Sequence, residues 1–132
     1  MVLPRFVDAA LAGQPLLVHD DGRQVRCFAH VRDVVAAVLG LMESPAAVGR
    51  VFNIGSDEPV SILNLARRVI ELAKSGSCVE FQTYANAYDE DFEDIRRRVP
   101  DLSRLRSVLD FQRKYDLDGI LTELIDVRGN SA

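Results

Sequence analysis

Apolar positions along the chain fall into two rhythms, one of helical period and one of alternation. Leu3, Phe6, Val7, Ala10 and Leu11 recur at helical spacing and predict a helix over 3–12. Pro4 sits near its start, where a missing N–H costs little, while Gly13 ends it and Pro15 prevents its return. Leu16-Leu17-Val18 then reads as a short strand leading into the turn Asp20-Asp21-Gly22, where glycine takes positive φ cheaply. Beyond the turn the chain alternates: Gln24, Arg26, Ala29 and His30 lie among Val25, Phe28 and Val31. Asp33 reads as the cap of a second helix with Val34, Val35, Val38, Leu39, Leu41 and Met42 as its apolar face. That helix stops before Pro45.

Val51-Phe52-Asn53-Ile54-Gly55 is an apolar run near glycines and predicts a buried strand. Pro59-Val60-Ser61 opens the clearest helix, with Ser61 as cap and Ile62, Leu65, Ala66, Val69, Ile70 and Ala73 on one face. Lys74 and Gly76 mark its end. Residues 78–84 alternate and predict a half-exposed strand. The stretch 85–98 is the least regular and ends in Arg96-Arg97-Arg98. A short helix is expected from Ser103 to Leu109 and a last one over 117–127, before a tail that should fray. The fold class expected is a small mixed α/β region, one domain over residues 1–132, with too few strands for a large sheet of its own.

Composition narrows the picture by exclusion. A net charge of −4 argues against nucleic acid or an anionic membrane as the main partner. Cys27 and Cys78 have no metal-ligand spacing, and two thiols make no disulfide framework, so a reducing, cytoplasmic setting is expected. No signal peptide and no bilayer-length apolar run is present in these 132 residues. His19, Asp20 and Asp21 are adjacent on a turn, and such neighbours rarely converge on one ion, so no metal is expected. His30 has no nucleophile or carboxylate placed beside it in sequence and reads as structural, and Asn53 is expected to bond local backbone.

Four segments carry a family resemblance. The run PLLVHDDGRQVRCFAHVRDVV resembles the pattern P-L-x-V-Y-G-D-G-x-Q-x-R-x-F-x-x-V-x-D, matched at Gly22, Gln24, Arg26, Phe28 and Asp33. The opening helix resembles V-h-P-x-F-h-x-x-A-L, where h is any apolar residue. Phe52-Asn53-Ile54-Gly55 followed by Val60-Ser61-Ile62 resembles F-N-h-G…h-S-h, and Arg98-Val99-Pro100-Asp101-Leu102-Ser103 resembles R-x-P-D-h-S. Each piece is weak alone; in this order and spacing they resemble the C-terminal, substrate-binding region of the NAD-dependent epimerase/dehydratase family. These are the extended short-chain dehydrogenases/reductases that epimerise, dehydrate or decarboxylate nucleotide sugars.

The resemblance implies that Arg26 and Arg98 hold the substrate diphosphate and that Val18, His19 and Gln24 lie at the nucleobase pocket. Two convergent guanidiniums suit a multivalent anion. The residues alone leave alternatives open: an ordinary surface ion pair for Arg26, and a pair with Asp94 on one helix turn for Arg98. Arg96 and Arg97 lie outside the match. His19-Asp20 replaces the family's Tyr-Gly, so a base contact there is expected through main chain only.

The family's catalysis needs a glycine-rich strand–turn–helix and a Tyr-x-x-x-Lys pair. The eight glycines form no such turn, and Ile70 and Asp110 stand four residues before Lys74 and Lys114. The expectation is therefore a nucleotide-sugar-binding region without catalytic residues of its own. It binds no cofactor itself, with NAD belonging to the intact enzyme. The N-terminal Rossmann region is expected to be missing, as if the chain were cut from a longer one, and a homo-oligomer is expected. Uncovered apolar side chains are expected among Leu3, Phe6, Phe28, Val51 and Phe52. The alternatives are a stand-alone nucleotide-sugar module and an assembly domain that retains only the fold.

Overall fold

The computed structural model describes residues 1–83 and 95–130. Helix α1 spans Val2–Leu11, and its buried face is Phe6, Val7 and Ala10. Gly13, with φ of 67°, closes it in the left-handed conformation. Strand β1 is Leu16–His19, β2 is Val25–Cys27 and α2 is Val31–Glu43. A single 3-10 turn follows at Pro45–Ala47. Strand β3 is Pro59–Ser61, α3 is Ile62–Leu72 and β4 is Val79–Gln82. Short α4 is Ser103–Arg106, and α5, Leu117–Gly129, carries helix further into the tail than the sequence predicts.

Two small sheets organise these elements. β1 and β4 pair in parallel, Leu16 opposite Val79 and His19 opposite Gln82. β2 and β3 pair antiparallel, Val25 opposite Ser61 and Cys27 opposite Pro59. On its other edge β2 takes up the segment 96–98: Val25 N–H donates to Arg96 O at 2.7 Å and Arg98 N–H to Val25 O at 3.1 Å. The main core joins α1, β1, α3 and α5 through Phe6, Val7, Ala10, Leu16, Val18, Leu65, Ala66, Val69 and Leu121. Gly22 sits where β1 turns away, at φ 66°; a Cβ there would meet Val18 Cγ1 at 2.7 Å and Leu63 Cβ at 2.9 Å. The turn therefore needs glycine for both conformation and space.

Several expectations are corrected. α2 starts at Val31 and is capped by the His30 ring, which accepts from Arg32 N–H, not by Asp33. Asp33 is 4% exposed, and its carboxylate accepts from Lys114 N–H and Tyr115 N–H at 3.1 and 3.2 Å, a bond no local pattern signals. The buried side of α2 is Asp33 and Ala37, while Val35, Val38, Leu39 and Met42 face outward. The run 51–55 forms no strand, and Val51 is 77% exposed. Pro59-Val60-Ser61 is a strand and not the first turn of α3, although Ser61 does cap that helix by accepting from Asn64 N–H. α3 ends at Leu72, and of Lys74 and Gly76, expected to mark its end, Lys74 takes the left-handed φ of 50°. Helix is confined to 103–106 where 103–109 was expected. Of the expected exposed apolar residues, Phe6 is buried at 3%.

Candidate functional site

The pairing of β2 with residues 96–98 brings two distant arginines together. Arg97 lies opposite Val25 in this parallel ladder, so Arg26 and Arg98 project from the other face of the ribbon. Both line a cleft of about 440 Å³, closed by Cys27, Ala29, residues 53–56, Val99 and Pro100. Arg26 Nη1 donates to Val25 O at 2.9 Å and to Ile95 O at 2.7 Å, which fixes the guanidinium against the ribbon. Arg98 is exposed, and among the described residues its guanidinium has no hydrogen-bond or ion-pair partner. Asp94, its possible helix-face partner, lies outside the described residues.

The rest of the cleft is held by bonds that span the chain. Asn53 does not bond local backbone: its Nδ2 donates to Asp101 O at 3.1 Å, tying 51–55 to the segment after Arg98. Ser56 is 2% exposed, and its hydroxyl accepts from Glu58 N–H. Asp57 and Glu58 are matched by Arg106 at 2.8 Å and Arg113 at 3.0 Å, so the acids at this edge do not oppose an incoming anion. The Arg106 hydrogen bond holds the Asp57 carboxyl below the ordinary range. Burial pushes the Cys27 thiol up, with Asp57 adding to the effect, so this cysteine is no thiolate nucleophile at neutral pH.

A longer groove of about 1370 Å³ continues past the cleft. His19 and Gln24 line it; Gln24 is 7% exposed, and its Nε2 donates to His19 O at 3.2 Å. Val18 does not line the groove. The whole residue is buried in the main core and presents no surface to a ligand there. His30, also on the groove, is engaged three ways: Nδ1 accepts from Arg32 N–H, Nε2 donates to Glu123 Oε2 at 3.1 Å, and the ring stacks on Tyr115 at 4.0 Å. Arg32 completes the knot with Tyr115 Oη and Glu123 Oε1. Sequence gave His30 no carboxylate because Glu123 lies at the far end of the chain.

Among the described residues no cluster of His, Cys, Asp or Glu could hold a metal ion, and no helix is long and apolar enough to cross a membrane. Among the described residues no glycine-rich strand–turn–helix is formed. β1 turns through Gly22 into another strand and not into a helix. The N-termini of α2, α3 and α5 are closed by His30, Ser61 and Asp116.

The chain has relatives among known proteins. Residues 1–55 match the NAD dependent epimerase/dehydratase family. A UDP-N-acetyl-alpha-D-glucosaminuronate decarboxylase of Bacillus cytotoxicus is 36% identical over 94% of this chain and 38% of its own length. UDP-glucuronic acid decarboxylase 2 of Arabidopsis thaliana is 33% identical over 88% of this chain and 24% of its own. The fold superposes on a dTDP-glucose 4,6-dehydratase from Bacillus anthracis, in complex with NAD, with a TM-score of 0.80 and 26% identity over 96% of this chain and 38% of that one. A UDP-glucuronic acid 4-epimerase from Bacillus cereus gives 0.87 at 21% identity, over all of this chain and 40% of that one. The chain is similar to the NAD-dependent epimerase/dehydratase family, the extended short-chain dehydrogenases/reductases. It spans well under half the length of the relatives it matches.

Proposed function

We propose that this chain is the nucleotide-sugar-binding portion of an NAD-dependent sugar epimerase, dehydratase or decarboxylase, and that Arg26 and Arg98 grip the substrate diphosphate. The observation that carries this reading is their convergence on one cleft where, among the described residues, the neighbouring acids Asp57 and Glu58 are already paired. Arg26, fixed against the ribbon, supplies a preset charge, and Arg98 supplies an open fork; together they match a diphosphate's adjacent acceptors. His19 and Gln24 lie further along the groove, at the nucleobase end. The chain contributes binding and no hydride chemistry. A dinucleotide-binding Rossmann region carries the NAD and the catalytic residues.

Isothermal titration with UDP tests this. Arg98→Gln should weaken UDP by about 10- to 100-fold, the worth of charge-assisted hydrogen bonds. UDP binding that ignores both Arg98→Gln and Arg26→Gln would remove the diphosphate role. No UDP binding at all would leave an assembly domain that retains only the fold.

A further inference from the structure

The long groove carries a third guanidinium, Arg5 on α1, together with His19 and Gln24. None of these three lines the smaller cleft, whereas Arg26 and Arg98 line both. Among the described residues, the groove's guanidiniums thus divide into two at the cleft and one outside it. Among the described residues, the two carboxylates on the groove are already matched. Asp8 takes Arg128 at 2.5 and 2.7 Å, and Glu123 takes His30 and Arg32. Arg5 is exposed and, among the described residues, its guanidinium has no hydrogen bond or ion pair. A guanidinium is a donor-only fork and always charged. With the described acids of the groove, Asp8 and Glu123, already paired, its complement is an acceptor group from outside the described residues.

We propose that Arg5 holds the nucleoside end of the ligand, donating to ribose hydroxyl or base carbonyl oxygens. The inference rests on the reading of the cleft as the diphosphate site. Titration of wild type, Arg5→Gln and Arg5→Lys with UDP and with inorganic pyrophosphate tests it. Arg5→Gln should weaken UDP about tenfold and pyrophosphate less than about twofold. Arg5→Lys should recover only part of the loss, because it keeps the charge and loses the fork. An equal loss for both ligands, or full rescue by lysine, would make Arg5 a diffuse charge and overturn the proposal. Unchanged UDP affinity in Arg5→Gln would overturn it too. A wild type that binds no UDP would remove the cleft reading first and this one with it.

Discussion

A carboxylate as buried as Asp33 must be satisfied, and here it satisfies others in return. Its two oxygens take the N–H groups of Lys114 and Tyr115, joining α2 to the segment before α5. Asp33→Ala strands both donors and should cost about 2–3 kcal/mol in urea unfolding. Asp33→Asn keeps one carbonyl acceptor and should cost about half as much. Gly22 offers a second test. Gly22→Ala adds left-handed strain of about 1–2 kcal/mol and a clash with Val18 and Leu63 worth about 1–3 more. Gly13→Ala meets nothing within 4 Å at nearly the same φ and should show the strain alone. Equal losses in the two variants would mean that packing around the 20–22 turn is looser than described.

At the scale of elements, α3 and α5 are linked by Arg68, which donates through Nε to Asp118 Oδ1 at 2.7 Å and through Nη1 to Glu71. The Arg68 hydrogen bond holds the Asp118 carboxyl below its ordinary value. Because the folded value is the lower one, this stabilisation is present in full above about pH 4 and is lost as pH falls through the folded value. Chemical unfolding should therefore be flat from pH 7 to 5 and weaken below about pH 4. Arg68→Gln should flatten that acid slope; an unchanged slope would show that the pair does not persist in solution.

The elements legible in sequence are those whose signals are local. α1, the Gly22 turn, the Ser61 cap and α5 follow from spacing, glycine and capping chemistry. What was not legible depends on partners far along the chain. His30 displaced Asp33 as cap because a buried carboxylate was needed elsewhere. Asn53 found Asp101, and 51–55 formed no strand. The two arginines of the cleft were legible through family resemblance. Their approach to each other depends on the 96–98 ladder, which alternation of polar residues does not announce. Arg5 carries no sequence signal, since only the groove distinguishes it from other surface arginines.

For the whole molecule, the outward stripe of α2 is the largest departure from self-sufficiency. Val31, Val35, Leu39 and Met42 recur at helical spacing and are 66%, 50%, 55% and 77% exposed. Each side chain left in water forgoes roughly 1.5–3 kcal/mol of burial. We propose that the stripe and the strandless run 51–55 meet the Rossmann region, and that the chain by itself associates through them. Light scattering should show a concentration-dependent rise in mass. Met42→Glu should suppress it with unfolding stability unchanged within about 0.5 kcal/mol. A monomer at every concentration would favour the stand-alone module.

The central claim is that the cleft of Arg26 and Arg98 receives a nucleoside diphosphate. The most direct measurement is the change in backbone amide NMR shifts on adding UDP. Saturable shifts should be concentrated at 25–29, 53–56 and 97–99, the residues around the two guanidiniums. They should disappear in the Arg26→Gln, Arg98→Gln double variant. Shifts confined to α2, or none at millimolar UDP in a folded sample, would contradict it.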